Sequence, residues 1–515
     1  MFAPIPREHG VIVKKCRDCL RVALLYPSIY QVAVASLAYQ LIYYMLNSME
    51  HVVAERFVLP SLDELSTPLR SLETGALLKH FDVIIIPVSY ELDLMYAVHA
   101  LHVSGVEPYA EKRRHPVIVV GGPVPSMNPA PFYPLADVIV IGEAEPTLPL
   151  LVETLYTDGV DALKASEGFL TRYTVEAGEK SRRVYVEDLD STFHPILQFR
   201  IPGSGEPWGE ALLVEISRGC RWMCRFCMEA FFTLPWRIRS FTKIREIIEE
   251  GVEVNKVSKV AFYSLSFFDH PDADRLLEYL AENKLEVSIG SLRADTLNRD
   301  RLEMLARLGQ RTVTIAPETF SPRLSCAINK VIGRSTVEEL VLEARRLGLH
   351  PKLYLMLGLP GEQDEDVKHA AEILSRLWRL SGGSMRVTVN PLVPKPWTPL
   401  QWHPFIDEKR YEARARLLRR AARNVDILSY RWAYAQAVIA RGGVEAGLAV
   451  IDASREAPRL GTVLRALRKT TWGRKVLEGF EPGEELPWEK LVDPGYPVAA
   501  LRRSFEAALS CLGRG

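Results

Sequence analysis

Cysteine is scarce in this sequence: there are seven in 515 residues, an odd number. Such a sparse set does not form the disulfide framework of a small secreted domain. Net charge is zero, so no global field attracts nucleic acid or an anionic membrane, and any such contact needs a local patch. No stretch reaches the roughly eighteen apolar residues of a membrane-spanning helix, and the N-terminus lacks an apolar signal core. We therefore expect a cytoplasmic protein of two or three domains, without membrane contact.

Three of the cysteines stand close together, in the segment CRWMCRFC that follows the apolar run ALLVEI. Cys220, Cys224 and Cys227 have C-x3-C-x2-C spacing. Three thiolates from one tight loop can hold three irons of a cubane cluster and leave the fourth iron open. A structural zinc site needs a fourth ligand, usually from a second cysteine pair, but Cys326 and Cys511 each stand alone. The spacing predicts an iron–sulfur cluster with one open coordination position.

Another cysteine pair, Cys16 and Cys19, lies in the basic context KKCRDC of the N-terminal segment, residues 1–20. A pair supplies half of a metal site, and no second pair completes it. We expect exposed or partly buried free thiols; a redox role or an auxiliary cluster is the alternative.

Residues 21–160 alternate helical stretches with apolar runs such as DVIIIPVSY and PVIVVGG. Uninterrupted Val and Ile runs are typical of strands buried on both faces of a parallel sheet. We predict an α/β, doubly wound (Rossmann-like) domain, whose ligand binds beyond the carboxyl ends of the strands. Glycine there would let a bulky ligand approach the backbone. Neither G-x-G-x-x-G nor a Walker loop occurs. The candidate contacts are Ser89, Gly121, Gly122, Gly142 and Glu143.

The rest of the chain divides into three parts. Residues 161–207 predict a connector with a hairpin formed by FLTRYTV and RRVYVED, ending at a Pro- and Gly-rich boundary. Residues 208–404 alternate six strand runs with amphipathic helices, which predicts a partial (β/α)6 barrel with its site at the carboxyl ends of the strands. The cysteine loop follows the first of these strands. Residues 405–515 predict a helical C-terminal region.

Polar residues follow the other barrel strands. Ser291 and Arg293 end the third strand, Glu318 ends the fourth, Lys330 opens the next helix, and Gly358 ends the fifth. A zwitterionic, ribose-bearing ligand needs a cation for its carboxylate, acceptors for its ammonium and hydroxyls, and bare backbone near its base. Each residue alone has an ordinary role as an ion pair, cap or turn. Together they predict a binding site.

The cysteine spacing, with Phe226 directly before the third cysteine, resembles the radical S-adenosylmethionine superfamily. The resemblance implies that Cys220, Cys224 and Cys227 hold a 4Fe-4S cluster and that S-adenosylmethionine chelates its open iron. It also implies that Phe226 contacts adenine. The set of polar strand-end residues would bind the rest of S-adenosylmethionine.

A Rossmann-like domain directly before such a barrel resembles the cobalamin-binding members of this superfamily. The loops around Gly121-Gly122 and Gly142-Glu143 are similar to cobalamin-cradling loops, and GSLRADTLN, IAPET and KLYLMLGLPGE resemble the same family. The D-x-H-x-x-G motif that supplies a histidine to cobalt is absent, since His99 and His102 lie in an expected helix without that spacing. Either cobalamin binds without a protein ligand on cobalt, or this domain has lost it.

The resemblance implies an enzyme that cleaves S-adenosylmethionine to a 5′-deoxyadenosyl radical. Cobalamin would act as methyl carrier for methylation of an unactivated carbon, and an electron donor such as ferredoxin or flavodoxin would reduce the cluster. One alternative is a methylthiotransferase-like or rearranging radical enzyme, although methylthiotransferases carry a second three-cysteine site and only Cys16 and Cys19 precede the barrel. Another is a non-catalytic iron–sulfur and corrinoid sensor. A peptide, RNA base, lipid or small metabolite all fit as substrate.

Two further segments have open interpretations. The Pro- and Trp-rich residues 390–402 are either a structural strap or part of the substrate opening, and His403 beside them is expected to be a packing residue. Past Phe405, four arginines recur at helical spacing and form one basic face, which could grip RNA phosphates or be an ordinary solvated, salt-bridged face. These arginines are Arg416, Arg419, Arg420 and Arg423, and three acidic residues lie close by at 407, 408 and 412.

Overall fold

The computed structural model describes residues 8–62, 66–203, 207–290 and 292–513. The chain forms two compact units. The first unit contains the residues up to Glu210, Ala435–Val476 and Gly483–Tyr496; the second contains Ala211–Tyr434, Leu477–Pro482 and the residues from Pro497 onward. The residues 405–515, expected to form one helical region, are therefore divided between the two units.

The first unit is built on a six-stranded sheet in the order β2-β1-β3-β4-β5-β6. Its strands are β1 (Leu20–Ile29), β2 (Val52–Leu59), β3 (Val83–Pro87), β4 (Val117–Gly121), β5 (Val138–Val140) and β6 (Phe169–Thr171). Its first helices are α1 (Tyr30–Val34), α2 (Leu37–Ser48), α3 (Asp93–Val103), α4 (Pro123–Met127), α5 (Ala144–Thr157) and α6 (Arg172–Glu176).

The strands β1 to β5 of this sheet are parallel, as the apolar runs predict. Every residue of β3 and β5 is buried, because helices cover both faces of the sheet. β1 lies between β2 and β3, so the chain crosses to opposite sides of β1 at this point. In doubly wound sheets such a switch point opens a crevice at the carboxyl ends of the two central strands.

The prediction of a hairpin over residues 168–186 is wrong. β6 instead pairs antiparallel with β5, and the chain then turns into α6. Thr171 caps that helix, because its side chain accepts a hydrogen bond from the backbone N–H of Thr174. The following short strand, β7 (Ser181–Arg182), pairs with a C-terminal strand rather than with β6.

The second unit contains two parallel sheets, in the orders β12-β11-β8 and β13-β14-β15-β16. Its strands are β8 (Leu212–Glu215), β9 (Ser217–Arg218), β10 (Arg237–Ile238), β11 (Lys259–Tyr263), β12 (Glu286–Ile289), β13 (Thr312–Glu318), β14 (His350–Leu357), β15 (Arg386–Pro391) and β16 (Val425–Ile427). Its helices are α7 (Phe241–Asn255), α8 (Ala273–Glu282), α9 (Arg299–Arg307), α10 (Pro322–Ala327), α11 (Arg334–Arg346), α12 (Asp364–Leu380) and α13 (Glu408–Ala421).

All six expected strands are present in these two sheets, and β16 is a seventh that the sequence pattern missed. Three residues with a central exposed aspartate carry little apolar signal, so pairing with β15 decides their conformation. The prediction of six strands therefore gave one parallel strand fewer than the two sheets of this unit contain.

The remaining elements are mostly helical. They are α14 (Tyr430–Arg441), α15 (Val444–Ser454), α16 (Leu460–Leu467), α17 (Thr471–Glu478), α18 (Pro487–Leu491), β17 (Val492–Asp493) and α19 (Val498–Leu512). Within the described ranges, no helix combines the length and apolar character needed to cross a membrane.

Candidate functional site

The cysteine loop leaves the carboxyl end of β8 and is closed at its base by a short ribbon. β9 pairs antiparallel with β10 on the far side of the loop. Glu215, the last residue of β8, accepts hydrogen bonds from Arg218 at 2.9 and 3.0 Å and from the buried Arg239 at 3.1 Å. Charge-assisted bonds of this kind hold the two ends of the loop together.

The three cysteines of this loop are the free thiols of the chain. Cys220, Cys224 and Cys227 are unpaired, and Cys224 is buried. Burial raises the pKa of all three thiols, that of Cys227 to about 12. Cysteine binds metals as the thiolate, so loading of metal onto this loop must release protons.

The other four cysteines form two disulfides, Cys16–Cys19 and Cys326–Cys511. The first pair corrects the expectation of free thiols in the N-terminal segment. The second joins α10 to α19, two helices whose cysteines stand alone in the sequence. Sequence spacing cannot reveal such a pair, because the two residues are 185 positions apart.

In the described parts of the chain, no three His, Cys, Asp or Glu side chains are gathered so that they could hold one metal ion. Two sulfurs bound to a single zinc ion lie within about 4.6 Å of each other, because each Zn–S bond is about 2.3 Å. In a cluster each thiolate binds its own iron, so the sulfurs need not converge on one point. Three free thiols on one loop therefore fit a cluster by their number, chemistry and order.

Arg293, from the end of β12, contacts the cysteine loop. Its Nη1 donates to the sulfur of Cys224 at 3.6 Å, and its Nε and Nη2 donate to the carboxylate of Asp295 at 2.9 and 2.8 Å. The guanidinium also lies over the indole of Trp222, 3.7 Å from the ring centroid, and Trp222 donates to the carboxylate of Asp269. Arg293 is therefore held by three partners. Sequence reasoning missed Trp222 and Asp269, because neither follows from the cysteine spacing.

Glu318 and Lys330 form a buried ion pair beside the same cysteine. Nζ of Lys330 donates to Oε1 of Glu318 at 2.7 Å and lies 5.9 Å from the ring centroid of Phe226. Burial raises the pKa of Glu318, and the charge of Lys330 opposes that effect. Burial likewise raises the pKa of Cys224, while Lys330 and Arg293 lower it. The structure thus brings together five predicted residues from four separate segments.

Arg225, between two of the cysteines, anchors the loop to its surroundings. Its backbone N–H donates to the carbonyl of Ile328 at 3.0 Å, its Nη1 to the carbonyl of Cys326 at 2.7 Å, and its Nε to the hydroxyl of Ser504 at 3.1 Å. Asn329 adds a bond to the carbonyl of Met223 at 3.0 Å. The end of α10 and one side of α19 therefore hold the loop in place, a role that the spacing motif did not indicate.

The remaining barrel candidates are less informative. Ser291 lies outside the described residues. The N–H of Gly358 donates to the carboxylate of Glu362 at 2.8 Å, and Nε2 of His403 lies 3.2 Å from its carbonyl oxygen. A Cβ on Gly358 would lie 2.9 Å from that of Ile406, so the chain itself packs against this glycine.

The segment of residues 390–402 is tightly packed. Trp397 and Trp402 are 1% and 2% exposed, and the N–H of Trp397 donates to the side chain of Gln401 at 2.8 Å. These contacts favour the structural strap over a substrate opening for the two tryptophans.

In the first unit, the predicted glycines have a packing role. Gly142 has φ +139°, and a Cβ on it would lie 2.1 Å from the carbonyl oxygen of Val184; on Gly122, with φ +109°, it would lie 2.5 Å from that of Val88. Glu143 donates its N–H to the Val184 carbonyl at 2.9 Å. Close approach of the chain to itself thus explains these glycines, where the sequence suggested approach of a ligand.

The other first-unit candidates lie at strand ends, as predicted. Gly121 is the last residue of β4. Ser89 follows β3, is exposed, and donates its N–H to the carboxylate of Asp93 at 3.3 Å. His99 and His102 both lie in α3, and Nδ1 of the buried His99 is 3.0 Å from the carbonyl of Arg455.

A cavity of about 580 Å³ opens in the first unit, away from these residues. Among its lining residues are Arg114 and Val117 near the start of β4, Asp137 just before β5, and Tyr133 and Tyr173. It therefore lies at the amino ends of the strands, the edge opposite to the predicted contacts.

Two family models match the chain. Residues 38–186 match the model of the N-terminal region of radical SAM proteins, and residues 214–374 match the radical SAM superfamily model. An uncharacterized protein of Methanocaldococcus jannaschii is 29% identical over 478 residues, which cover 92% of this chain and 98% of that protein. An uncharacterized methyltransferase of Pyrococcus horikoshii is 25% identical over 337 residues, covering 63% of this chain and 71% of the relative.

The fold is also similar to a solved structure. The radical S-adenosylmethionine methyltransferase TsrM of Kitasatospora setae, with cobalamin and a [4Fe-4S] cluster bound, has a TM-score of 0.52 at 16% identity, with 74% of each chain covered. At that identity the likeness concerns the fold alone. The superfamily match implies S-adenosylmethionine and a 4Fe-4S cluster as cofactors. The chain therefore carries both the N-terminal and the radical domain of a radical S-adenosylmethionine enzyme.

Proposed function

We propose that this radical S-adenosylmethionine enzyme is a cobalamin-dependent methyltransferase that acts on an unactivated carbon. The observation that carries the proposal is the loop with Cys220, Cys224 and Cys227, the free thiols of the chain, surrounded by charged residues from the ends of successive strands. When bound there, a 4Fe-4S cluster supplies the electron that cleaves S-adenosylmethionine, and cobalamin supplies a transferable methyl group.

Three charged residues beside the loop have distinct roles in this proposal. The ion pair of Lys330 and Glu318 offers a cation and a carboxylate within 2.7 Å of each other, which suits the carboxylate and ammonium groups of one amino acid. Because both side chains are almost fully buried, they exclude water from that end of the site. Arg293 is held by Asp295 and Cys224, so we assign it to the cysteine sulfur rather than to the substrate carboxylate.

The first unit supports the cobalamin part of the proposal by its topology. Its strand order places a switch point between β1 and β3, and Ser89 is exposed at the carboxyl end of β3. A solved methyltransferase with a similar fold contains cobalamin. His99 is buried with its Nδ1 next to a backbone carbonyl, which favours binding without a protein ligand on cobalt.

The alternative functions require a different set of cysteines or give different reaction products. A methylthiotransferase-like enzyme needs a second three-cysteine site, but only Cys16 and Cys19 precede the barrel, and they form a disulfide. A sensor would hold the cluster without consuming S-adenosylmethionine. A rearranging enzyme would form 5′-deoxyadenosine without transferring a methyl group.

Anaerobic reconstitution with iron and sulfide tests the proposal, with and without added cobalamin. We expect a visible iron–sulfur chromophore, cobalamin that stays with the protein through gel filtration, and 5′-deoxyadenosine from S-adenosylmethionine. The Cys224→Ala variant should lose the chromophore and the nucleoside. Deoxyadenosine without cobalamin uptake would reject the methyl-carrier role but keep the radical class, and deoxyadenosine from the alanine variant would reject the loop itself.

A further inference from the structure

We propose that a basic surface on the second unit binds the phosphate backbone of RNA. The surface, called here the arginine surface, consists of exposed arginines on α13, in the turn after α13, at the end of α12 and at the start of β15. The inference goes beyond the proposed function and does not depend on the cluster. Its members are Arg379, Arg386, Arg416, Arg419, Arg420 and Arg423.

The helix α13 presents three of these arginines on one face, and Arg423 lies two residues past the end of the helix. Its buried side chains, among them Tyr411, Ala415 and Leu418, pack toward the protein at spacings of three and four residues. Arg416, Arg419 and Arg420 recur at the same spacings on the opposite side of the helix. These three arginines and Arg423 are exposed. The helix therefore holds three guanidinium groups facing solvent, and the turn after it adds a fourth.

The acidic residues that precede this face in sequence are Asp407, Glu408 and Glu412. None of the ion pairs formed by described residues includes Arg416, Arg419, Arg420 or Arg423. Asp407 is engaged elsewhere: its carboxylate accepts from the backbone N–H of Arg410 at 2.9 Å and lies 3.6 Å from that residue's Nε. Other exposed arginines of this unit have acidic partners, as Arg299 does with Glu303 at 2.9 Å. This removes the salt-bridged face that the sequence left open as the ordinary explanation.

Neighbouring elements extend the row. The hydroxyl of Ser375 donates to the carbonyl of Ala421 at 3.0 Å, so the end of α12 with the exposed Arg379 lies beside the end of α13. The N–H of Val387 donates to the carbonyl of Asn424 at 2.8 Å, which places the exposed Arg386 next to the same turn. The carboxylates nearest in sequence to the four arginines are the half-buried Glu412 and the exposed Asp426, so the arginines of this surface outnumber them.

The position of the arginine surface favours RNA over an acidic electron-donor protein as its partner. Arg386 begins β15 and Arg423 precedes β16, so the surface lies at the amino ends of these strands. The cysteine loop lies at the opposite, carboxyl edge, where the backbone carbonyl of Arg225 accepts a hydrogen bond from the N–H of Leu400 at 3.3 Å, beyond the end of β15. A donor docked on the arginines would face the wrong edge for electron transfer. Each arginine guanidinium can donate two hydrogen bonds to the oxygens of one phosphate group. A polynucleotide presents successive phosphates, so several neighbouring arginines can bind it at once.

The test is fluorescence anisotropy of the full chain with a labelled, mixed-sequence single-stranded RNA over a series of salt concentrations. The test variant replaces Arg416, Arg419, Arg420 and Arg423 with Gln, which keeps helix propensity. The control variant replaces four ion-paired exposed arginines with Gln, so that the net charge changes equally; these are Arg275, Arg299, Arg334 and Arg346. Circular dichroism checks that both variants fold.

We expect the test variant to raise the Kd for RNA at least tenfold at about 50 mM salt, and the control to raise it less than threefold. In the test variant, the magnitude of the negative slope of log K against log salt should decrease by about 3, since each phosphate contact on a single strand contributes about 0.7. Equal weakening in both variants, or no RNA binding by the wild-type chain, would overturn the proposal. So would equally tight binding of polyglutamate, which would indicate an acidic-protein surface. Loss of the cluster in Cys224→Ala should leave RNA binding unchanged, which keeps this test separate from the proposed function.

Discussion

The guanidinium of Arg293 donates a hydrogen bond to the sulfur of Cys224 while it stacks on the indole of Trp222. The cysteine and the arginine are 69 positions apart and come from the ends of different strands. Trp222 is fixed in turn by its bond to Asp269. Trp222 of the cysteine loop therefore orients the Arg293 guanidinium, which contacts Cys224 of the same loop.

This arrangement predicts the reduction potential of the cluster. Hydrogen bonds to cluster sulfurs stabilise the more negative, reduced state. Trp222→Leu removes the platform under Arg293 and should lower the midpoint potential by tens of millivolts, measured by anaerobic titration with EPR detection. Trp222→Phe keeps a ring for stacking and should stay closer to wild type. An unchanged potential in Trp222→Leu, with the cluster intact, would show that the contact has no such effect.

The buried pair of Glu318 and Lys330 predicts a strong dependence of stability on both partners. Glu318→Gln leaves the Lys330 ammonium without its carboxylate and should lower the free energy of unfolding by about 3–5 kcal/mol. The double variant Glu318→Gln with Lys330→Met removes the stranded charge and should recover part of that loss. Urea denaturation of wild type, the two single variants Glu318→Gln and Lys330→Met, and the double variant measures this. A double variant as unstable as the sum of two single changes would contradict the pairing.

Gly142 predicts a packing requirement in the first unit that is independent of any ligand. Gly142→Ala places a methyl group 2.1 Å from the carbonyl oxygen of Val184 and keeps a φ of +139° that L-residues avoid. We expect a loss of about 3 kcal/mol or more in thermal or urea unfolding. Gly483→Ala is the matched control, because no atom lies within 4 Å of its added Cβ. Comparable stability of the two variants would show that the segment around Val184 can move to accommodate the added methyl group.

Asp93 predicts a pH dependence of stability. Burial raises its pKa to about 7, although it accepts hydrogen bonds from the N–H groups of Ser89 and Tyr90. In the unfolded chain the group releases its proton near pH 4, so between about pH 4 and 7 the folded state binds the proton more tightly. The free energy of unfolding should therefore fall as pH rises through this window.

The Asp93→Asn variant tests that dependence. It should flatten the decline in stability between about pH 5 and 8 by about 1–3 kcal/mol relative to wild type. The control is Asp426→Asn, which removes an exposed carboxylate. Urea midpoints at the two pH values give the comparison, and parallel declines in wild type and Asp93→Asn would contradict the role of Asp93.

Local patterns in the sequence were sufficient to predict the buried strands and to identify the cysteine loop. The Val- and Ile-rich run of β3 is buried along its whole length, so its apolar character is enough to predict it. The three loop cysteines lie within one short loop, and their spacing is therefore readable without the fold. The same locality explains one error: residues 168–186 alternate like a hairpin, but β6 pairs with β5 and α6 intervenes.

Tertiary structure decided which distant groups meet. The contact of Arg293 with Cys224, the disulfide between Cys326 and Cys511, and the short strand β16 each depend on segments that only the folded chain brings together. It also decided that Gly142 serves the packing of Val184. Among the described ion pairs, Arg410 and Arg414 of α13 have acidic partners, whereas Arg416, Arg419 and Arg420 do not. Sequence alone specifies local conformation and residue chemistry, whereas pairing across long separations is fixed by packing and by the hydrogen bonds that the buried groups must form.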